Sequence, residues 1–141
     1  MSGINELQKP LVGVLKDTKV MDMLQLMLDR GVGAAVVVAD GQAIGIFTER
    51  DLMTKVVLAR RDPDKTMVSE VMTSPVLRIE QDAEPDAALQ IMLDRHIRHL
   101  VVMDTAGRTT GMLSIRHLMS HKIGELTQEV GELGTYIREH I

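Results

Sequence analysis

Seven consecutive residues, Gly45-Ile46-Phe47-Thr48-Glu49-Arg50-Asp51, carry the clearest chemical signal in the chain. The apolar half predicts the end of a buried strand and the polar half predicts the first turn of a helix. Such a junction presents free backbone N–H groups and the positive end of a helix dipole, which suits an anion. Gly45 would let a ligand approach the backbone, Thr48 adds a hydroxyl and Arg50 brings a guanidinium matched to phosphate. Asp51 can accept both hydroxyls of a ribose diol. With Glu49 in the same turn, the set matches a nucleotide. The same Thr-x-x-Asp spacing before an apolar run is also a capping box, which needs no ligand.

The elements that position these residues follow from an internal repeat, sought first because it changes the reading of the fold. Leu24-Gln25-Leu26-Met27-Leu28-Asp29-Arg30 recurs as Leu89-Gln90-Ile91-Met92-Leu93-Asp94-Arg95, six identities in seven at a spacing of 65 residues. Val36-Val37-Val38 aligns with Val101-Val102-Met103 at that spacing, and Gly45-Ile46-Phe47-Thr48 with Gly111-Met112-Leu113-Ser114 at 66. The extra residue falls between two turn signals, Asp40-Gly41 and Asp104-Thr105-Ala106-Gly107. Periodicity within each copy predicts a strand, a helix, a hairpin and a second helix. In the first copy these are Leu11 to Leu15, a helix capped by Asp17 or Thr18 with Val20, Met23, Leu24, Met27 and Leu28 inward and an end near Gly31, strands Ala34 to Ala39 and Ala43 to Phe47, and a helix from Thr48 or Glu49 toward Ala59 with Leu52, Met53, Val56 and Val57 inward. In the second they are Val76 to Ile79, Glu84 to Arg95, His99 to Met103, Thr109 to Leu113 and a helix from Ile115.

The polar stretch Arg60 to Lys65 reads as a solvent-exposed linker. Residues 1–66 then form the first repeat with its linker, 67–122 the second, and 123–141 a helical extension. A unit of about 60 residues buries only about 60% of its extended-chain surface, so the two should pack together. The expected fold is α+β: tandem β-α-β-β-α units about a pseudo-twofold axis, their sheets packed together, plus a C-terminal helix.

A tandem unit ending in Gly-Ile-Phe-Thr-Glu-Arg-Asp resembles a CBS domain pair (cystathionine β-synthase domain), and the resemblance covers nearly the whole chain. Val68-Ser69-Glu70-Val71-Met72-Thr73, Ile97-Arg98-His99-Leu100-Val101-Val102 and Gly111-Met112-Leu113-Ser114-Ile115-Arg116 agree with it. The resemblance implies a non-catalytic sensor that binds an adenine nucleotide, AMP, ADP or ATP, with NAD(H) or S-adenosylmethionine as further candidates and no metal. It implies that Asp51 holds ribose hydroxyls while Thr48 meets phosphate. In the second copy Ser114 and Arg116 are kept but His117 replaces the acid, so this imidazole would contact a ribose weakly or, protonated, favour phosphate. Arg98 and His99, where the first copy has Gly33 and Ala34, would join Arg116 as a basic wall toward the phosphates of a nucleotide held by Asp51. Alternatively they are solvated or pair with carboxylates such as Asp104.

Other groups carry less. His117 and His121 have metal-ligand spacing on a helix, but no Glu accompanies them as in the zinc-protease motif and no third ligand is evident. Methionines such as Met23, Met27, Met53, Met92 and Met119 read as core filling. Ile123, Leu126, Val130, Leu133 and Ile137 step by three and four, a narrow seam that needs a partner, either the chain's own domain or the same helix of a second subunit. The family's flat dimers favour a homodimer. Among 141 residues, 45% are apolar and 26% charged, enough for a core and too few charges for disorder. A net charge of −4 opposes nucleic acid, and Phe47 and Tyr136 alone make no base-stacking platform. The uncharged run from Gly31 to Ala39 is too short for a membrane span, which takes about 18 residues. Met1 to Lys9 has no signal-peptide pattern and there is no cysteine, so a cytoplasmic setting is expected. Three functions fit in descending order: a nucleotide-binding regulator, a ligand-free interaction module that dimerises and docks on a partner, and a nucleotide hydrolase, which lacks a visible base or metal-binding carboxylates.

Overall fold

The computed structural model describes residues 3–140, and the side chains of residues 3–4 and 7–134. One helical turn, α1 (Ile4–Leu7), precedes the first repeat: β1 (Gly13–Leu15), α2 (Val20–Arg30), β2 (Ala34–Ala39), β3 (Gln42–Thr48) and α3 (Glu49–Asp51), which widens into a π-helical stretch, Leu52–Val57. A 3-10 turn, Val68–Glu70, leads to the second repeat: β4 (Arg78–Glu80), α4 (Pro85–Arg95), β5 (His99–Met103), β6 (Thr109–Ser114) and the long α5 (Ile115–His140). Each repeat forms a three-stranded sheet in which the first strand runs parallel and the third antiparallel to the central one. The sheets even share an irregularity at equivalent places, Val37/Val38 and Val102/Met103. Asp40 and Gly41 both take positive φ, 53° and 74°, as a two-residue hairpin between twisted strands demands.

Alternation along the central strands builds three cores. Ala35 and Val37 face the helices of the first repeat with Met23, Met27, Phe47 and Val56, whereas Ala34 and Val36 face the other sheet, meeting Val101, Met112 and Ala43. The second repeat has its own cluster around Met92, Leu100, Val102, Leu113 and Leu118. A cut after residue 66 follows the sequence repeat but does not divide these cores. Ile4 is fully buried in the second one, while Val68 and Val71 belong to the first. Backbone pairs extend the exchange, Lys9 with Met112 on β6 and Thr73 with Ile46 on β3. Each repeat is thus clasped by a strap from the sequence that precedes the other.

Several local expectations need correcting. Neither Asp17 nor Thr18 caps α2: the cap is Lys19, without a side-chain bond, and the N–H groups of Val20 and Met21 donate to Thr66 O (2.9 Å) and Pro63 O (3.0 Å). Arg60 to Lys65 is exposed as expected apart from the half-buried Pro63, yet its end docks as a backbone cap, with Thr66 just beyond it buried. Leu28, Met53 and Val57 point outward at 76%, 54% and 62% exposure, and Met119 is exposed too. The π-helical widening after Asp51 rotates the face, leaving Val56 in the core with Leu52 against it. β1 and β4 are shorter than expected, at three residues each. Ile4→Ala should cost about 2–5 kcal/mol in urea unfolding, the loss for a fully buried isoleucine. A cost near zero would mean that the α1 strap does not seal the second core.

Candidate functional site

Thr48 ends β3 in an extended conformation and serves as the N-cap of α3. Its hydroxyl accepts from Asp51 N–H at 3.3 Å, while its own N–H and O–H donate to Asp51 Oδ2 at 3.0 and 3.2 Å. The capping box is therefore formed. The other carboxylate oxygen serves tertiary structure: Oδ1 accepts from the Thr73 hydroxyl at 2.8 Å and lies 3.2 Å from Lys55 Nζ. Lys55 also donates to Thr73 Oγ1 (3.1 Å) and Met72 O (3.3 Å). Asp51 is only 4% exposed, and a carboxylate offers about four lone-pair positions, here met by four donors. Burying this charge is tolerable because it is saturated.

The strap that supplies Thr73 also covers Gly45. A Cβ there would collide with the Met72 sulfur and come within 2.8 Å of its Cγ, so the close approach expected over Gly45 is made by the chain's own methionine. Glu49 and Arg50 are exposed, and Glu49 N–H donates to Gly33 O at 3.2 Å. The second junction repeats this frame: Ile115 N–H donates to Arg98 O at 2.8 Å, His99 pairs with Ser114 across the sheet, and Ser114 Oγ accepts from His117 N–H at 3.3 Å while contacting His117 Nδ1. His117 thus stands in the capping position of Asp51, and Gly111, at the place of Gly45, is covered by Gln8 and Lys9.

The structure brings Gly45, Thr48, Glu49, Arg50 and Asp51 together at one junction and Arg98, His99, Ser114, Arg116 and His117 at the other. Burial pushes the His99 imidazole below its ordinary value, with Glu49 opposing and Arg98 reinforcing the shift, so the Glu49 charge reaches across to the second junction. His117 is lowered as well, by burial first and then by the positive Lys9 and Arg116. Asp104 does not partner Arg98; it accepts from Arg108 and from the backbone of its own hairpin turn. His121 Nε2 lies 2.8 Å from Glu125 Oε1, and no group of three metal-binding side chains exists among the described residues. Nor is any helix among them long and apolar enough to cross a membrane. Sequence reasoning missed Lys55, Thr73 and Lys9. Lys55 was within reach as the i+4 cation after Asp51. The two straps repeat at a spacing of 64, off the main register, and carry little identity.

Both junctions fall within segments that match known proteins. The family model for the CBS domain matches residues 4–58 and 68–124. The CBS domain-containing protein CBSX3, mitochondrial, of Arabidopsis thaliana is 34% identical over 127 residues, covering 86% of this chain and 61% of that one. The chain spans between 48% and 63% of the length of three such curated relatives. A structurally solved protein with CBS domains from Burkholderia ambifaria superimposes with a TM-score of 0.81 at 31% identity, covering 87% of this chain and 95% of its own. A CBS domain protein from Pyrobaculum aerophilum, solved in complex with AMP, gives a TM-score of 0.75 at 26% identity, covering 82% and 89%.

Proposed function

The chain belongs to the CBS domain family and carries two copies of that domain, and from this premise we propose that it binds an adenine nucleotide and regulates a partner protein without catalysis. The observation that carries the reading is the buried Asp51 carboxylate at a strand-to-helix junction, and the AMP complex of the Pyrobaculum aerophilum relative supports the ligand class. Ribose hydroxyls bind at Oδ1, the oxygen whose partners are tertiary. Because the carboxylate is already saturated, the diol takes the place of the Thr73 hydroxyl and the Lys55 ammonium there. Oδ2 stays locked in the capping box. Phosphate then faces Thr48, Arg50 and the helix end, with Arg98, His99 and Arg116 as a basic wall beyond Glu49.

Displacing Thr73 releases a strap that also pairs with Ile46 and packs Met72 over Gly45. Ligand and strap compete for one oxygen, so occupancy shifts the balance between two arrangements of the clasp between repeats. That differential affinity is what signalling requires. The output runs through a homodimer along α5, where Ile123, Leu126, Val130 and Leu133 are 49–69% exposed at heptad-like spacing. The side chain of Ile137, the fifth member of the seam, lies outside the described residues.

The same exposed seam supports a second reading, a docking module with no ligand. Calorimetry with AMP, ADP, ATP, NADH and S-adenosylmethionine separates the two. At least one should bind wild type and lose about tenfold or more in Asp51→Asn, whose fold is checked by circular dichroism; no heat from any of them leaves the docking module. For the assembly, sedimentation velocity should give a wild-type mass near twice the 15.6 kDa of one chain and a shift toward monomer in Val130→Glu. An unaltered mass in the variant would remove α5 from the interface.

A further inference from the structure

At the first junction the start of α3 is tied to the start of β2. Glu49 N–H donates to Gly33 O at 3.2 Å, and the Glu49 side chain folds back over the same residue: a Cβ on Gly33 would lie 3.1 Å from Oε1 and 3.5 Å from Cδ. The carboxylate therefore rests against Gly33 instead of extending away from the helix. That place is the rim of the core between the two sheets. Ala34, the next residue, is 3% exposed and belongs to the inter-sheet cluster with Val101. On β5 the half-buried His99 alternates onto the same face as Val101, so it too is turned toward the first sheet. Glu49 and His99 thus face one gap from opposite repeats, and the Glu49 charge accordingly favours protonation of His99 against the burial that opposes it. Among the described residues no lysine or arginine forms an ion pair with Glu49. The second junction does not repeat the arrangement, because Arg98 and Ile115 stand in the places of Gly33 and Glu49.

We propose that Glu49 is a charge filter at the nucleotide site, a carboxylate placed where the outer phosphates of a ligand would run, so that the site selects the adenosine monophosphate over the di- and triphosphate. The inference rests on the nucleotide reading of Asp51. With a ribose at Asp51 and the first phosphate at Thr48, a longer phosphate chain must pass from Thr48 toward Arg98 and His99. Glu49, the residue after Thr48, lies on that path and faces His99 across it. A carboxylate with no cation paired to it repels each added phosphate, and a cleft between two sheets screens that repulsion less than open solvent does. In the empty site the same charge has a use, since it stands against a wall whose Arg98 and Arg116 have no acid at the second junction. Filling that wall with phosphate means turning Glu49 out. Glu49 is therefore the ligand's competitor at the phosphate end, as Thr73 is at the ribose end. A cationic chain on the 5′ carbon, such as that of S-adenosylmethionine, would be attracted by the same group.

Calorimetric titration of adenosine, AMP, ADP and ATP into wild type and Glu49→Gln tests the filter, without divalent cations, which would mask phosphate charge. Wild type should bind AMP more tightly than ATP. Glu49→Gln should raise ATP affinity about tenfold and AMP affinity by no more than about threefold, with adenosine unchanged, because the repulsion scales with ligand charge. The gain should shrink at about 0.5 M salt, as a Coulombic effect does and a packing effect does not. Glu49→Asp keeps the charge and should keep the wild-type order. Glu132→Gln, which removes an exposed acid about 25 Å along α5 from Ile115, should change nothing. Tighter binding of ATP than AMP by wild type, an unchanged ratio of the two in Glu49→Gln, or an equal gain for adenosine would overturn the filter and leave the reading of Asp51 standing. Adenosine titrated into Asp51→Asn checks that reading separately: if it binds wild type no better than this variant, the nucleotide site falls and the filter falls with it.

Discussion

A carboxylate that is almost wholly buried must find a donor for each lone pair, and Asp51 does so by recruiting from three places at once. Its own helix start supplies Thr48, the next turn supplies Lys55, and the strap before the second repeat supplies Thr73. The first contact fixes where β3 ends and a helix begins. The last ties the first repeat to the chain segment that leads into the second. A single side chain therefore sets a local boundary and a tertiary clasp, so any group that took the place of one of its donors would have a structural consequence.

The clasp makes sense of the fold as a whole. Two units of this size would be marginal alone, and the protein answers by exchanging segments as well as by packing sheets face to face. Ile4 fills the second core while Val68 and Val71 fill the first. Two glycines then become necessary, since Met72 presses on Gly45 and Lys9 on Gly111. The duplicated architecture is nearly symmetric in backbone and strongly asymmetric in charge. Repetition supplies the frame, and substitution at the helix starts sets the charge of each frame.

Much of the fold was legible because burial on a strand leaves a period-two pattern, and duplication tests each assignment against its copy. β2 and β5 lie at their expected bounds, and the hairpin turn is written in Asp40-Gly41. Helix starts were less legible. Asp17 and Thr18 look like caps, yet carbonyls of the linker satisfy α2, and no local pattern announces a backbone partner more than forty residues away. The inward faces of Met53, Val57 and Leu28 were misjudged for a related reason: hydrophobicity marks a face that will be covered without saying by what. At the candidate site the sequence displays the residues on one contiguous turn. It hides Thr73 and Lys9, which arrive on straps whose pairing is a tertiary event, so the saturation of Asp51 emerges only once the straps are placed.

On the proposed function, a ribose diol and the Thr73 hydroxyl compete for one oxygen of Asp51. A crystal structure of the protein with AMP tests it most directly. Ribose hydroxyls should lie within hydrogen-bonding distance of Asp51 Oδ1, with the capping bonds from Thr48 to Oδ2 retained and Thr73 Oγ1 withdrawn from the 2.8 Å contact it makes without ligand. AMP bound elsewhere, with the contacts of Thr73 and Lys55 to Asp51 intact, would contradict it.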